Sequence, residues 1–312
     1  MPFRLVTRSD FDGLVCAVLL RQLGMIDEIT FVHPKDVQDG KVTVTDRDIL
    51  TNLPYVRGAH LVFDHHHSET IRVGRVASNH VIDADAPSAA RVVYDYFGGP
   101  ARFPDVSPEL MRAVDQADSA DYGIDEVLAP TGWTLLNFLM HSRTGLGRFR
   151  DFRISNYQLM IMLIDACIEH TEVDAILSLP DVAERVALYR EQSEHFVAQL
   201  GRVSTMYEDV VVVDLREEEV IHAGNRFVVY ALYPWARVSV HVMWGRQKQN
   251  TVLAVGKSVL DRTSPADVGA VMLRHGGGGH LAAGTCQVPH ERTDAVLADV
   301  LASVSTGRVE VG

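Results

Sequence analysis

The sequence is poor in cysteine and has no long apolar run. Its three cysteines, Cys16, Cys167 and Cys286, are far apart and odd in number, so they indicate neither a disulfide framework nor a thiolate metal site. No apolar run approaches the roughly 20 residues that cross a bilayer, and the N-terminus lacks the apolar core of a signal peptide. We therefore expect a cytoplasmic protein of a reducing compartment, with no membrane partner.

Positive charge is also scarce. The 312 residues include 29 Lys and Arg against 41 Asp and Glu, which gives a net charge of -12. A protein that binds long duplex nucleic acid usually presents a broad basic face, and this composition argues against one. A short phosphorylated ligand is still compatible with the composition, because a few local cations are enough to hold it.

Several catalytic signatures are absent as well. No HExxH, G-x-S-x-G or CxxC motif occurs, so the sequence lacks the usual motifs of zinc proteases, serine hydrolases and dithiol enzymes. The stretch AVGKS (254–258) is not a phosphate-binding P-loop, because the first glycine of that motif would fall on Thr251.

The first hundred residues alternate short apolar runs with helical patterns. The helical patterns are LVCAVLLRQLG (14–24) and SAARVVYDYFG (88–98), the second with Ser88 as its N-cap. This alternation predicts an α/β domain with a largely parallel sheet and helices on both faces. The runs predicted as strands are FRLV (3–6), ITFV (29–32), VTVT (42–45) and HLVF (60–63).

The rest of the chain divides into a helical part and a part rich in β-type runs. The sequence predicts a parallel-sheet domain over 1–190, a helical connector over 191–206 and a smaller α/β domain with a mixed sheet over 207–312. The predicted helices are 107–119, 131–141, 155–170, 181–206, 265–274 and 291–304. The predicted strands are VVVVD (210–214), RFVVYALY (226–233), RVSVHVMW (237–244), TVLAVGKSVL (251–260) and a run around TCQVP.

Acidic side chains follow three of the predicted strands of the first domain. The carboxyl ends of parallel strands meet in one crevice, where crowded carboxylates repel one another unless a cation lies between them. Carboxylate oxygens suit Mg²⁺ or Mn²⁺, and imidazole shifts the preference towards Mn, Co or Fe. The sequence therefore predicts a divalent-metal site at this edge. The residues are Asp10, Asp12, Asp46 and Asp64, with His65, His66 and His67 directly behind Asp64.

Each of these aspartates has an ordinary alternative role. An aspartate after a strand is common turn and helix-cap chemistry, and for any single one of them that interpretation is the better one. Four together with three histidines, all on one predicted edge, favour a metal site. Not every imidazole need be a ligand, because one can hold the substrate and another can hydrogen-bond to a ligand.

These motifs, in this order, resemble those of the DHH phosphoesterase superfamily with a C-terminal DHHA1 domain. The resemblance covers nearly the whole chain and rests on SDFDG, TD at 45–46, FDHHHSE, AVDQADSAD and RHGGGGHLAAG. It implies two divalent ions, typically Mn²⁺, that activate a water for attack on phosphorus. Members of the superfamily include nanoRNases, bisphosphate nucleotide phosphatases, cyclic-dinucleotide hydrolases, RecJ-type exonucleases and proteins named exopolyphosphatases.

The resemblance also implies roles for individual residues. Asp46 resembles the carboxylate that bridges both metals, and Asp10 a ligand of the first metal. Asp64 resembles the carboxylate that orients a ligating histidine, and His66 the imidazole near the scissile phosphate. The other ligands of the second metal would be Asp12, His65 and Asp118, with Asp115 and Asp121 left open as alternatives to Asp118.

The sequence departs from the family pattern just before its first motif. Most members place a histidine or an aspartate two or four residues before the first motif aspartate, where this chain has Arg8 and Val6. The first metal is then left with Asp10, Asp46 and, as a further candidate, His33. Arg8 cannot ligate a metal, but its guanidinium can pair with Asp10 or contact a substrate phosphate.

The glycine run GGGGH (276–280) is the predicted phosphate contact of the second domain. Backbone N–H groups approach an anion closely where side chains are missing, and a helix that began there would point its positive end at phosphate. The alternative is a flexible connector. Arg262 resembles the family's arginine for substrate phosphate, with a surface arginine as the competing interpretation. The predicted substrate contacts are His66, Arg262, Gly277, Gly278, Gly279, His280 and Arg8.

The sequence thus predicts a metal-dependent phosphoesterase for a short phosphorylated substrate. Candidate substrates are nanoRNA ends or other short oligonucleotides, nucleotide phosphates and polyphosphate, and the cofactor would be Mn²⁺ or Mg²⁺, with up to two ions. Homo-oligomerisation is left open. The alternative, motivated by Arg8, is a nucleotide-binding or regulatory protein that kept the fold and lost turnover.

Overall fold

The computed structural model describes residues 2–74 and 77–306, which form two compact units with separate sheets. The first unit comprises the residues up to Asp121 together with Pro130–Leu188, and the second comprises Tyr122–Ala129 and the residues from Tyr189 onward. The predicted division at residues 190 and 206 stays a prediction, because a compact unit is not by itself an independently folding domain. Within the described residues, we find no helix with the length and apolarity that a membrane crossing requires.

The first unit contains a five-stranded sheet in which every pairing is parallel, in the order β2-β1-β3-β4-β5. The carboxyl ends of these strands therefore lie along one edge of the sheet, as the sequence predicts. The strands are β1 (Phe3–Thr7), β2 (Ile26–Phe31), β3 (Asp48–Thr51), β4 (Leu61–Asp64) and β5 (His80–Ile82).

Helices cover both faces of this sheet. The helix α1 is buried from Phe11 to Leu20 and packs against α4, α5 and α8. On the opposite face, Val6, Leu50 and Val62 form an apolar cluster with Val37 of α2. The first ten helices are α1 (Phe11–Gln22), α2 (Pro34–Gln38), α3 (His67–Val73), α4 (Ala89–Tyr96), α5 (Pro108–Ser119), α6 (Ile124–Leu128, in the second unit), α7 (Gly132–Met140), α8 (Asn156–Glu169), α9 (Val173–Leu177) and α10 (Pro180–Val203).

The predicted third strand at 42–45 is wrong. These residues form no strand, and β3 instead spans Asp48–Thr51. The valines of the VTVT run pack against the small apolar cluster around Val37 rather than pairing in the sheet. The Asp48 carboxylate accepts the N–H of Thr45 at 2.7 Å and so holds the segment just before β3 begins. Alternating β-branched residues favour a strand, but in the described part of the structure the run pairs with no strand.

The second unit contains a six-stranded mixed sheet in the order β10-β11-β9-β8-β7-β6. Only β7 and β8 pair in parallel, and the remaining pairs are antiparallel. Its core consists mainly of valines from β7, β8 and β9 that face α12 and α13. The strands are β6 (Ser204–Tyr207), β7 (Val210–Asp214), β8 (Val238–Trp244), β9 (Thr251–Lys257), β10 (Gly278–His280) and β11 (Ala283–Val288); the helices are α11 (Val228–Leu232), α12 (Val268–Arg274) and α13 (Thr293–Val304).

One predicted strand of this unit is a helix. The run RFVVYALY (226–233) contains α11, and Val228, Val229 and Tyr230 are its buried residues. A short continuous apolar run cannot be assigned to strand or helix by periodicity alone, and tertiary packing decides it here. The Tyr230 hydroxyl donates to the carbonyl of Gly256 at 2.8 Å, which fastens α11 to β9.

Candidate metal centre

Three side chains converge at the carboxyl edge of the first sheet. One donor atom from each of Asp12, His65 and Asp118 lies within 4.8 Å of the other two. His65 Nε2 is 2.9 Å from Asp118 Oδ2. The first turn of α1 supplies Asp12, the residue after β4 is His65, and the last turn of α5 supplies Asp118. Of the sequence-predicted ligands, the structure brings these three together, and we call them the Asp12 cluster.

The Asp12 carboxylate is held in place by a second helix. It is buried, and its two oxygens accept the N–H groups of Ala89 at 3.1 Å and Ala90 at 2.7 Å. These are the first N–H groups of α4, where the helix dipole favours a negative charge. The carboxylate is therefore oriented before any ligand arrives.

His65 is oriented for a role as a ligand. Its Nδ1 lies 3.3 Å from the carbonyl oxygen of Ala86. A carbonyl only accepts hydrogen bonds, so Nδ1 carries a proton, and a neutral His65 ring, as a metal ion would require, would present the lone pair of Nε2 to the cluster. Metal-ligating histidines are commonly fixed in this way through their other ring nitrogen.

The pKa values in the Asp12 cluster show a local excess of negative charge. Burial raises the pKa of Asp12 well above its usual range, and the charges of Asp118 and Asp10 raise it further. Burial lowers the pKa of His65, but the Asp118 carboxylate beside it outweighs that effect and raises it to about 9. A divalent cation would favour ionised carboxylates and a neutral imidazole. Two carboxylates and one imidazole are a donor set that fits such an ion.

Asp10 and Arg8 form an ion pair beside the cluster. Arg8 Nε lies 3.0 Å from Asp10 Oδ2, and the other Asp10 oxygen accepts the N–H of Gly13 at 3.0 Å as the N-cap of α1. Burial raises the pKa of Asp10, whereas the positive charge of Arg8 and the hydrogen bond from the Gly13 N–H both act to lower it. The role of Asp10 as a metal ligand stays a prediction, since the structure shows it as a helix cap paired with an arginine.

Asp64 is paired with His66 and not with His65. The buried Asp64 lies 2.7 Å from His66 Nδ1 and accepts the backbone N–H groups of both histidines. The family resemblance implies that Asp64 orients a ligating histidine. It instead fixes the ring of His66, whose role near the scissile phosphate stays a prediction. The side chain of His67 lies outside the described part of the structure.

Geometry distinguishes the three aspartates of AVDQADSAD. Asp118 lies in the Asp12 cluster, whereas Asp115 forms an ion pair with Arg91 and accepts the Ser88 hydroxyl at 2.8 Å. Among the described residues, the candidate group does not include Asp121. His33, the further candidate for the first metal, caps α2 by accepting the N–H of Lys35 at 3.2 Å.

The structural argument for Asp46 as the bridging ligand fails. Asp46 precedes β3 and therefore lies near the amino edge of the sheet, where its neighbour Arg47 donates to the carbonyl of Pro2 at 3.0 Å. The four residues of β3 put about 13 Å between this edge and the carboxyl edge. The alternating VTVT run predicts the third strand too early, and this error places Asp46 at the carboxyl edge instead of the residue that follows β3.

The residue that does follow β3 is Asn52. It is buried at 1% exposure, and neither atom of its side-chain amide has a hydrogen-bond partner. No motif of the sequence points to this residue. The short β-type run ILT (49–51) is the sequence signal for a strand that ends just before this asparagine. The more regular alternation of VTVT is a stronger strand signal nearby.

The glycine run of the second unit has a structural role. No helix begins there, because Gly278–His280 form the edge strand β10 against β11. A Cβ atom on Gly277 would lie 2.1 Å from the carbonyl oxygen of Thr285, and one on Gly279 would lie 2.3 Å from that of Ala283. These glycines are therefore required by close strand packing. Phosphate contacts by the glycine run, His280 and Arg262 stay predictions.

We predict that Gly277→Ala destabilises the protein by about 1–3 kcal/mol, because the added methyl group must displace the backbone of β11. Urea unfolding should measure the loss. Gly278→Ala is the matched control, because a Cβ there meets no atom within 4 Å. Equal stabilities of the two variants would contradict this explanation of the glycines.

Comparison with solved structures identifies the family. The chain is similar to the pGpG-specific phosphodiesterase PggH from Vibrio cholerae, with 57% sequence identity, a TM-score of 0.84 and coverage of 96% of this chain and 99% of that one. A DHH-domain structure described as a member of the s1p family of ribosomal proteins shares 13% identity, with a TM-score of 0.60 and coverage of 99% of this chain and 87% of that one. Exonuclease RecJ bound to manganese shares 15% identity, with a TM-score of 0.52 and coverage of 97% and 90%.

The last two similarities show the fold, whereas the identity to the phosphodiesterase extends over almost the whole chain. No protein-family model and no curated protein matched the sequence. The chain belongs to the DHH phosphoesterase superfamily, with a DHHA1-type second domain, as its motifs had implied. It is a phosphoesterase of the DHH type.

Proposed function

We propose that this enzyme hydrolyses pGpG, or a closely similar 5′-phosphorylated dinucleotide, to two mononucleotides with the help of a divalent cation, Mn²⁺ in the first instance. The observation that carries the proposal is the 57% identity to a pGpG-specific phosphodiesterase over 96% of this chain. The net charge of -12 also favours a short substrate over a long strand.

The Asp12 cluster would hold the cation. When bound, a divalent cation supplies Lewis-acid activation of water and of the phosphoryl group. The protein contributes preorganisation: Asp12 is fixed by two N–H groups of α4, and His65 is fixed by the carbonyl of Ala86. Ligands that are held by a second layer of contacts need little rearrangement when the ion binds.

His66 is the candidate general acid. Hydrolysis joins the oxygen of water to phosphorus and breaks the bond from phosphorus to the 3′ oxygen of the leaving nucleoside, which must gain a proton. Asp64 holds Nδ1 of His66 at 2.7 Å, so Nε2 is the nitrogen that would deliver that proton. A positioned acid of this kind contributes about 10²–10⁴-fold to a rate.

Two arginines of the first unit are suited to hold a second phosphate group. Arg8 lies beside the Asp12 cluster through its ion pair with Asp10. Burial lowers the pKa of Arg143, and the nearby charge of Arg8 lowers it further. In the described part of the chain, no carboxylate pairs with the Arg143 guanidinium. An anion between two guanidinium groups relieves their repulsion, and pGpG carries a 5′-phosphate in addition to the phosphodiester.

We predict that Arg143→Ala lowers kcat/KM for pGpG by about 10–100-fold, the equivalent of one charge-assisted hydrogen bond of about 1.5–3 kcal/mol. Turnover of GpG, which lacks the 5′-phosphate, should be unchanged. Arg143→Lys is the matched control, because it keeps the charge and should retain part of the effect. An equal loss on both dinucleotides would show that Arg143 supports the fold or the chemistry and not the 5′-phosphate.

A substrate panel tests the proposed function. The purified protein, stripped of metal and then supplied with Mn²⁺, should release two GMP molecules per pGpG and act more slowly on longer oligonucleotides, 3′,5′-bisphosphate nucleotides, cyclic dinucleotides and polyphosphate. Turnover of one of these other substrates well above that of pGpG would reassign the substrate. Undiminished turnover without divalent metal would refute the metal dependence.

A further inference from the structure

Asn52 is a buried polar residue to which the proposed mechanism gives no role. It directly follows β3, and β3 lies between β1 and β4 in the sheet. These two neighbouring strands lead into Asp12 and His65, so Asn52 emerges between the strand ends that supply the Asp12 cluster.

Contacts to both neighbouring strands fix the backbone around Asn52. Its N–H donates to the carbonyl of Phe63 in β4 at 3.1 Å. On the other side, the carbonyl of Thr51 accepts the hydroxyl of Thr7 at 3.1 Å, and the Thr51 hydroxyl donates to the Thr7 hydroxyl at 2.7 Å. The position of Asn52 at the carboxyl edge is therefore set by the sheet.

The side chain of Asn52 has no partner where it lies. It is 1% exposed, and both its amide oxygen and its amide nitrogen lack hydrogen bonds. Burying an amide without partners is unfavourable, and native structures rarely leave one so. The backbone offers a simpler explanation for an asparagine at this position, because φ is 54° and asparagine tolerates the left-handed region better than most residues. Glycine, however, would adopt the same backbone conformation without burying an amide.

We propose that the side-chain carbonyl oxygen of Asn52 is a fourth, neutral ligand of the divalent ion bound by the Asp12 cluster. The inference rests on the proposed metal-dependent function. With two carboxylates, a neutral imidazole and a neutral amide, the ligand set carries a charge that balances one divalent ion. We therefore expect one tightly bound ion per chain. A carboxylate in place of Asn52 would add a negative charge to the ligand set, which would then favour additional positive charge at the site.

Direct metal binding tests this proposal without reference to turnover. The metal-free protein is titrated with Mn²⁺, and free Mn²⁺ is followed by electron paramagnetic resonance. The wild type should bind one ion. Asn52→Gly keeps the backbone conformation and removes the amide, so its Kd should rise by about tenfold or more. Asn52→Asp adds a charge at the same place, and its Kd should fall by about tenfold.

Two further variants complete the design. Asp46→Asn removes a carboxylate at the amino edge and should leave the Kd unchanged. Asp118→Asn removes a ligand of the Asp12 cluster and should raise the Kd strongly. Affinities of the wild type and the two Asn52 variants within about twofold of one another would overturn the proposal, and Asn52 would then serve the backbone alone. Wild-type affinity in Asp118→Asn would instead refute the metal site on which the proposed function rests.

Discussion

Asp118→Asn is expected to abolish pGpG hydrolysis while the protein stays folded. Loss of a residue that merely orients a metal ligand costs about 10–100-fold in metal affinity or activity, and loss of a ligand should cost more than about 100-fold. The amide has nearly the same shape as the carboxylate. It removes one of the negative charges that raise the pKa values of Asp10 and Asp12. The variant also loses the ion pair between His65 and Asp118, which acts in the opposite direction, so the melting temperature in the presence of EDTA should stay close to that of the wild type.

Asp115→Asn is the matched control for this variant. It lies one turn earlier on α5, pairs with Arg91 and does not belong to the Asp12 cluster. Activity at saturating Mn²⁺ should be close to that of the wild type, whereas stability should fall by about 1–3 kcal/mol because a charged hydrogen-bond network is weakened. Loss of activity in Asp115→Asn with wild-type activity in Asp118→Asn would reverse our assignment of the two residues.

His66→Ala should also remove most of the activity, by about 10²–10⁴-fold, but for a different reason. Its imidazole is held by Asp64 and lies outside the Asp12 cluster, so Mn²⁺ affinity should be close to that of the wild type. His66→Ala should therefore lower the rate without changing the Mn²⁺ affinity, whereas Asp118→Asn should change both.

The p-nitrophenyl ester of 5′-GMP sharpens this comparison. Its leaving group is stable as an anion and needs no proton, so His66→Ala should hydrolyse it at nearly the wild-type rate. Asp118→Asn should fail on this ester as it fails on pGpG. Equal losses of His66→Ala on both substrates would mean that His66 binds the phosphate and does not act as an acid.

Much of the first unit could be predicted because its signals are local and strong. SDFDG follows β1, FDHHHSE contains the end of β4, and Ser88 caps α4 as predicted by accepting the N–H of Arg91 at 3.0 Å. The parallel order of the strands then brings the residues of different motifs to one edge. The motifs alone therefore indicated the family and most of the Asp12 cluster.

The errors arose where tertiary packing outweighed local pattern. VTVT alternates more regularly than the residues of β3, so the pattern predicts the strand too early and puts Asp46, and not Asn52, at the carboxyl edge. The choice of Asp118 over Asp115 depends on an ion pair with Arg91, which no spacing in the sequence reveals. Similarly, the close approach of Gly277 to Thr285 is visible only once β10 and β11 are paired.

Anomalous diffraction from crystals grown with Mn²⁺ tests the central claim most directly, because it locates the ion independently of turnover. The account predicts a manganese peak with Asp12, His65 and Asp118 atoms at about 2.0–2.3 Å. A fully occupied manganese peak elsewhere, such as beside Asp46 at the amino edge of the sheet, with none at the Asp12 cluster, would contradict it.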